Sequence, residues 1–300
     1  MKKVLITGAS GFLGRACVKF LSDKNFEIHA ISRKKILDKK IIWHQSDLLD
    51  SKSNYELIKS IKPSYLLHCA WATEHGKFWS SNANLLWLNS SLELLRYFID
   101  FGGKRSVFVG SCAEYDLTYK TCIESKTPLK PSTLYGYCKN TLQNISQVYS
   151  KNFNLSLAWA RLFYLFGPNE NELKFISSVI ISLIQDKVTI CNNSNLKRDF
   201  LFIEDAASAI VKLLFSNMEG PINIASGTEI SLGSITKKIA SYLNKKELIR
   251  LKNIDDTNEI SLIVADVERL TKDLKWNSQF TFEQRLFETI EWWKKKKVSF

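Results

Sequence analysis

A glycine-rich octet at residues 7–14, TGASGFLG, constrains the fold of this chain more than any other stretch. It follows a short apolar run and precedes apolar residues at helical spacing, which is the order of a strand, a tight turn and a helix. Gly8 suits the backbone conformation of the turn, Gly11 lets a ligand approach the main chain, and Gly14 lets helix and strand pack closely. The octet therefore predicts a strand–turn–helix unit at the start of the chain.

The same unit predicts a dinucleotide site, because the free N–H groups at the helix N-terminus attract a pyrophosphate. Glycines also serve ordinary turns, so a structural turn is the alternative. The strand before the octet and the helix after it favour the dinucleotide. The candidate cofactor residues of this turn are Gly8, Ser10, Gly11, Phe12, Leu13 and Gly14.

The composition is that of a globular protein. The 300 residues, 45% of them hydrophobic, suit one large domain or a core domain with a smaller partner. No apolar run approaches the length of a membrane span, and Gly8 and Gly11 interrupt the first apolar stretch too early for a signal peptide. We therefore expect no membrane partner and a cytoplasmic location.

The net charge of +12 raises the question of a nucleic-acid partner. The lysines are scattered and no nucleic-acid motif accompanies them, so we expect no nucleic acid. A solvated lysine-rich surface and a basic cleft for anionic small molecules remain open. The six cysteines form no CxxC pair and no metal spacing with the four histidines, which predicts reduced thiols and no metal site.

Strands and helices alternate over the first half of the chain, which predicts an α/β fold of the Rossmann type with a doubly wound parallel sheet. The predicted strands are residues 4–6, 27–32, 41–45, 65–70, 106–110 and 154–160, and the predicted helices are one from Phe12, 55–61, 78–101 and one from near Leu134. Ligands of such sheets bind at the carboxyl ends of the strands.

The pattern changes after Arg161, where residues 163–169 are predicted to leave the sheet as a loop. The later predicted elements are helices at 172–186, 205–216, 234–243 and 282–296 and a short strand and turn at 223–227. We therefore expect two parts. Residues 1–165 form a dinucleotide-binding domain, to which 199–216 and about 255–266 return, and 166–300 form mainly a smaller C-terminal α/β substrate-binding cap.

The end of the second predicted strand indicates which dinucleotide binds. An acidic residue there holds the free 2′-hydroxyl of NAD, whereas Arg or Lys accepts the 2′-phosphate of NADP. Here Ser32 is followed by Arg33, Lys34 and Lys35, and no carboxylate is present. The sequence therefore favours NADP(H) over NAD(H), with a solvated run of charges as the alternative. Other strand ends expected to border the cofactor carry Asp47, Leu48, Cys69, Ala70, Trp71 and Leu162.

Tyr135 and Lys139 form a candidate proton relay. They are four residues apart, which places them on one face of the predicted helix. A tyrosine phenol titrates near pH 10, and a nearby ammonium favours the phenolate and brings its pKa toward the working range. Ser111, at the end of a strand, would hydrogen-bond the same substrate oxygen. The alternatives are an ordinary surface pair on a helix and a serine that satisfies local backbone groups.

These motifs occur in an order that resembles the extended short-chain dehydrogenase/reductase superfamily, and within it the NAD-dependent epimerase/dehydratase family. The resemblance covers nearly the whole chain. It rests on the glycine octet, Ser111, Tyr135-x-x-x-Lys139, Arg161 with Gly167-Pro168, Arg198-Asp199-Phe200 with Glu204-Asp205, Ala265-Asp266 and Leu274-Lys275-Trp276. The resemblance implies a relay of Tyr135, Ser111 and Lys139, with hydride exchanged at C4 of a nicotinamide.

The resemblance also implies a nucleotide-sugar substrate whose diphosphate pairs with Arg198, for which a surface ion pair with Asp199 or Glu204 is the alternative. The substrate residues that it indicates are Thr73, Ser111, Cys112, Ala113, Tyr164, Asn171, Lys174, Phe175 and Arg198. It further favours a homodimer built from the helices at 78–101 and 134–150.

Departures from the family pattern narrow the activity. Cys112 and Ala113 stand where 4,6-dehydratases carry an Asp-Glu pair, and no histidine follows His75, which disfavours epimerisation of the GDP-fucose synthase type. Tyr164 replaces an Asn that often precedes this loop. The chain most resembles reductases of 4-keto-6-deoxy sugar nucleotides, with dTDP-linked substrates expected before CDP- or GDP-linked ones. A nucleotide-sugar 4-epimerase with bound NAD and a dinucleotide-sensing scaffold are the alternatives.

Overall fold

The computed structural model describes residues 2–22, 26–34, 36, 41–253 and 259–298. Residues 297 and 298 are described through their main chain only. The strands of this part are β1 Lys3–Thr7, β2 Glu27–Ser32, β3 Ile42–Gln45, β4 Tyr65–His68, β5 Arg105–Ser111, β6 Thr121–Cys122, β7 Ser156–Leu162, β8 Tyr164–Phe166, β9 Thr189–Cys191, β10 Lys197–Phe202, β11 Gly220–Ile224, β12 Glu229–Ser231, β13 Ile249–Leu251 and β14 Leu262–Ala265. The helices are α1 Phe12–Ser22, α2 Ser51–Ile61, α3 Ala83–Asp100, α4 Leu134–Asn152, α5 Phe175–Ile184, α6 Ile203–Leu214, α7 Leu232–Tyr242 and α8 Phe282–Val298.

A parallel sheet of seven strands, in the order β11-β7-β5-β4-β1-β2-β3, forms the centre of the molecule. Val4, Leu5 and Ile6 of β1 are fully buried, as expected for a strand that is covered on both faces. Helices α1 and α6 pack on one face and α2, α3 and α4 on the other. The predicted doubly wound α/β fold is therefore confirmed.

The glycine turn has the geometry that the octet predicts. Gly8 has φ +68°, a conformation that L side chains rarely adopt, and a Cβ on Gly14 would lie 2.1 Å from the Gly8 carbonyl oxygen. The Gly11 N–H donates to that same oxygen at 2.9 Å. Gly14 thus allows α1 to begin directly against the end of β1, whereas the approach of a ligand to Gly11 stays a prediction.

A smaller layer follows the main sheet in the chain. Strands β12, β10, β14 and β6 form one sheet, β8 pairs with β10, and β9 pairs with β13. Helices α5, α7 and α8 pack around one apolar cluster with residues of β10. Strand β11 lies in the main sheet beside β7, whereas β10 and β14 lie in the smaller sheet. The second half of the chain therefore contributes strands to both sheets.

The structure corrects the prediction that 163–169 is a loop. Tyr164–Phe166 is strand β8, with Tyr164 opposite Phe200 in a parallel pair. Three residues are too few for a periodic pattern, and the partner strand lies far away in the sequence. Sequence periodicity therefore had no means of finding β8.

The helix predicted at 78–101 begins instead at Ala83. The Asn84 amide donates to the carbonyls of Phe78 and Ser81, at 2.7 and 2.8 Å, which holds the preceding residues in turns. Phe78 is buried, so its apolar character reflects packing outside the helix. Leu85, near the start of α3, is 53% exposed.

Among the helices of the described residues, none combines the length and the apolar character needed to cross a bilayer. The six cysteines are free, and five of them are buried.

Candidate active site

Ser111, Tyr135 and Lys139 meet at the carboxyl end of the main sheet. Ser111 is the last residue of β5, and the other two lie in the first turns of α4. The Ser111 hydroxyl lies within hydrogen-bonding reach of the Tyr135 phenol. Tyr135 and Lys139 are 8% and 3% exposed, so they are not the surface pair that the spacing alone also allowed. The Ser111 Oγ also accepts the Ala113 N–H at 3.2 Å. The serine therefore also satisfies a local backbone group, which was the alternative interpretation of Ser111.

Tyr135 is held in its protonated form. Burial raises the pKa of its phenol above the ordinary value, and the hydrogen bond from Ser111 opposes this shift only in part. The structure therefore does not bear out the expectation that Lys139 lowers the tyrosine pKa. The Lys139 Nζ donates to the Val109 carbonyl at 2.8 Å instead. The phenol is therefore protonated at neutral pH, and since a raised pKa makes it a weaker acid, the Ser111 hydroxyl is the contact that favours release of the proton.

Lys139 lies in an apolar niche. Its Nζ is 3.9 Å from the centre of the Trp71 ring, which is the distance of a close cation–π contact. Burial lowers the pKa of this ammonium to about 7, against opposing influences from Glu114 and Cys69. Lys139 is therefore charged below this pH and loses its charge as the pH rises through it.

Three aromatic rings surround Tyr135. The ring centres of Phe78, Trp79 and Trp71 lie 5.0, 5.7 and 6.3 Å from that of Tyr135, all edge to face. The Trp71 Nε1 donates to the Asn84 Oδ1 at 2.9 Å, which fixes the indole. This aromatic wall limits water around the phenol, and Trp79 remains 44% exposed beside it.

The predicted cofactor residues lie along one edge. A Cβ on Gly8 would lie 2.8 Å from the Ala70 nitrogen, so the glycine turn touches the end of β4. The Ala70 N–H donates to the Thr7 Oγ1, which bonds the His68 Nδ1 at 2.7 Å. Ser10 and Gly11 are exposed at the mouth of the turn. An exposed glycine turn at the start of a helix fits a dinucleotide pyrophosphate.

The remaining cofactor candidates surround this edge. Phe12, Leu13 and Gly14 form the first turn of α1, and Cys69 and Trp71 flank Ala70. Leu162 lies beside Ser111 in the sheet. Ser32 ends β2, Arg33 and Lys34 are exposed after it, and Asp47 and Leu48 follow β3. The Ser32 carbonyl accepts the Ser46 N–H, which joins the ends of β2 and β3. Lys35 lies outside the described residues.

Arg198 and Tyr164 form the cap side of the candidate substrate region. The guanidinium carbon lies 5.9 Å from the centre of the Tyr164 ring, and burial raises the pKa of the Tyr164 phenol. Among the described residues, no carboxylate lies within 4 Å of Arg198. The Asp199 carboxylate accepts the main-chain N–H groups of Ser226, Gly227 and Ala265. Glu204 forms an ion pair with Lys19. The alternative of a surface ion pair is therefore not realised.

The other substrate candidates divide into two groups. Cys112 and Ala113 form the turn after Ser111, and the Lys174 Nζ lies 5.6 Å from the Phe78 ring centre, next to the aromatic wall. Asn171 shares the Lys174 loop through a main-chain hydrogen bond of 3.0 Å. Phe175 packs into the apolar cluster of the small layer, and Thr73 is exposed in the loop after β4. The structure does not bring these last two against the relay.

Sequence reasoning missed the role of Glu114. Its Oε1 accepts the Ser111 N–H at 2.7 Å, and Arg161 binds its Oε2 at 2.7 Å, with both side chains buried. Ser111 and Glu114 form a capping box around the turn Cys112–Glu114. The Ser-x-x-Glu spacing is the sequence signal that could have found it.

The chain is similar to known proteins over most of its length. The model of the NAD dependent epimerase/dehydratase family matches residues 4–225. The CDP-abequose synthase of Salmonella typhimurium is 25% identical over 96% of this chain and 97% of its own.

Solved structures show the same fold. A UDP-N-acetylglucosamine 4-epimerase from Methanobrevibacter ruminantium, in complex with UDP-N-acetylmuramic acid, has a TM-score of 0.87 at 21% identity and covers 98% of this chain and 99% of its own. The dTDP-glucose 4,6-dehydratase of Bacillus anthracis, in complex with NAD, has a TM-score of 0.84 at 21% identity and covers 99% and 98%. Since the family model spans most of the main sheet and the Ser111–Tyr135–Lys139 site, the chain belongs to the NAD dependent epimerase/dehydratase family.

Proposed function

We propose that this protein reduces the 4-keto group of a 4-keto-6-deoxy nucleotide sugar with NADPH. One observation carries the proposal: Tyr135 is 8% exposed at the start of α4, and its phenol is within hydrogen-bonding reach of the Ser111 hydroxyl at the end of β5. The position after Ser111 supplies no second acid–base pair, since Ala113 has no titratable group and burial raises the pKa of the Cys112 thiol. The site thus has what is needed to protonate one carbonyl oxygen and little more.

The residues divide the work of this reaction. NADPH, when bound at the glycine turn, supplies the hydride. The Ser111 hydroxyl and the Tyr135 phenol would both hydrogen-bond the ketone oxygen, and Tyr135 would give up its proton as that oxygen gains charge. The Lys139 ammonium, on the same face of α4, would hold the cofactor ribose. The aromatic wall keeps competing water away from the reacting carbonyl.

Arg198 is our candidate for the sugar-nucleotide diphosphate. It has no carboxylate partner among the described residues, and a guanidinium can bind phosphate through two parallel hydrogen bonds. Asn171 and Lys174 would line the nucleotide pocket. A dTDP-linked substrate is proposed first, and the similarity to a CDP-abequose synthase supports testing CDP-linked sugars as well.

A nucleotide-sugar 4-epimerase with bound NAD is the second candidate, and the 4-epimerase among the similar structures favours it. Such an enzyme returns its hydride to the sugar and consumes no cofactor. A dinucleotide-sensing scaffold is disfavoured, because a chain without chemistry has no need for a buried Tyr135 and Lys139 beside Ser111.

The first prediction concerns the substrate. With freshly made dTDP-4-keto-6-deoxyglucose, the protein should consume NADPH and yield the 4-hydroxy sugar. The measurements are the loss of nicotinamide absorbance and analysis of the sugar product. Absence of NADPH consumption with dTDP-, CDP- and GDP-linked keto sugars, together with epimerisation of an ordinary UDP-sugar, would select the 4-epimerase.

The second prediction concerns proton donation. Tyr135→Phe removes the proton donor and should lower kcat by roughly 10²–10⁴-fold, while cofactor affinity is largely kept. Tyr137→Phe is the matched control, because Tyr137 lies on the same helix and is 55% exposed. Steady-state kinetics of the two variants check this, and near-normal turnover by Tyr135→Phe would disprove the assignment.

The third prediction concerns cofactor choice. Arg33 and Lys34 are exposed at the end of β2 and form no ion pair with a described carboxylate, so both are available to a 2′-phosphate. The protein should prefer NADPH, and Arg33→Asp should reverse the ratio of kcat/KM values. Lys151→Asp, at the far end of α4, is the control with the same charge change. A wild-type kcat/KM for NADH equal to that for NADPH would reject this proposal.

The fourth prediction concerns assembly. Apolar residues are exposed on α3 and α4, among them Leu86 at 59% and Ile145 at 45%, and we propose that a second copy of the chain covers them. Replacing both with Glu should convert a dimer to a monomer in light scattering. Phe287→Glu, an exposed site on α8, should leave the dimer intact. A monomeric wild-type protein would contradict the proposal.

A further inference from the structure

The carboxylate of Glu114 lies beneath the active site, and the proton relay makes no use of it. It is completely buried in the short turn after β5. Its Oε1 accepts the Ser111 N–H at 2.7 Å, and the Trp159 Nε1 lies 3.0 Å from each of its oxygens. The Arg161 Nε donates to Oε2 at 2.7 Å. A buried charge needs such partners, because its desolvation costs several kcal/mol.

Arg161 extends this contact to the helix that carries the relay. Its Nη1 donates to the Tyr115 hydroxyl at 3.0 Å and its Nη2 to the Gln143 Oε1 at 2.5 Å. Gln143 lies four residues after Lys139 and eight after Tyr135, so the three side chains share one face of α4. The Glu114–Arg161 pair therefore connects the backbone of Ser111 with the helix of Tyr135.

We propose that Glu114 is a positioning residue of this site: its carboxylate fixes the Ser111 backbone relative to α4, and its negative charge keeps Lys139 an ammonium. The inference rests on the function proposed above, and it adds a residue that touches neither the cofactor nor the substrate.

The geometry places the two charges at the same strand end: Glu114 accepts the Ser111 N–H at 2.7 Å, and Lys139 donates to the carbonyl of Val109, two residues earlier on β5, at 2.8 Å. The groups that act on it are Glu114, the Cys69 thiol and the neighbouring His68, beside the Val109 carbonyl and the Trp71 ring. His68 is neutral, because burial lowers its pKa to about 3. Burial brings the pKa of Lys139 down to about 7, and Glu114 opposes this shift as the one carboxylate among the described groups that act on Lys139.

Two substitutions separate charge from position. Glu114→Gln keeps an acceptor for the Ser111 N–H but removes the charge and leaves Arg161 unneutralised. Activity that needs the Lys139 ammonium is lost as the pH rises through its pKa. In Glu114→Gln this loss should therefore move to lower pH, by roughly one unit or more.

Glu114→Asp keeps the charge but withdraws the oxygens from Ser111. Its pH profile should stay near that of the wild type, while kcat falls by about tenfold or more, because a small displacement of a catalytic group is enough. Glu124→Gln is the matched control. Glu124 is another largely buried carboxylate, which accepts the Asn223 N–H at 2.8 Å and does not act on Lys139.

A readout without substrate separates this proposal from the proposed function. The Trp71 indole lies against the Lys139 ammonium, so its fluorescence should titrate near pH 7, and the signal should vanish in Trp71→Phe. A shifted titration in Glu114→Gln, with no keto-sugar reduction by the wild type, would reject the function and keep the role of Glu114.

The proposal is overturned if Glu114→Gln shows the wild-type titration and pH profile, or if Glu124→Gln shifts them equally. Midpoints are measured on the folded fraction, checked by circular dichroism, so a lower yield does not move them. If Glu114→Gln does not fold, Glu114→Asp decides: an unchanged kcat contradicts the proposal, and a reduced kcat with an unchanged pH profile supports it.

Discussion

A buried ion pair between Glu114 and Arg161 joins the elements that form the candidate site. It connects the turn after β5, strand β7 and, through Gln143, helix α4. Removing one partner of such a pair leaves an uncompensated charge in the interior and destabilises a protein by about 3–5 kcal/mol. The ion pair therefore ties the turn that follows Ser111 to β7 and to the helix that carries Tyr135.

The same burial sets the chemistry. Removal from water disfavours charge on both members of the relay, so Tyr135 keeps its proton and the pKa of Lys139 falls to about 7. A neutral phenol beside an ammonium that is close to titrating is an arrangement for giving a proton to a ketone oxygen. Our preference for reduction over dehydration rests on this, together with Ala113 where a second acid would stand.

Much of this structure could be predicted from local patterns. The glycine octet and the alternation of strands and helices indicated the parallel sheet, and the spacing of Tyr135 and Lys139 placed them on one helix face. What the sequence did not indicate depends on distant contacts. Strand β8 is defined by its pairing with β10, and the protonation of Tyr135 depends on how deeply the ring is buried. Glu114 was overlooked because its capping box is short and its partner Arg161 is far along the chain.

The central claim is that the hydride is transferred to the carbonyl carbon of the keto sugar and the proton to its oxygen, and that both remain in the product sugar. The most direct test uses NADPH that carries deuterium at nicotinamide C4, in each stereochemical form, with the keto-sugar nucleotide as substrate. The account predicts one deuterium at C4 of the product sugar from one of the two forms, seen by NMR and mass spectrometry. A converted sugar without deuterium, with the labelled NADPH unconsumed, would contradict it.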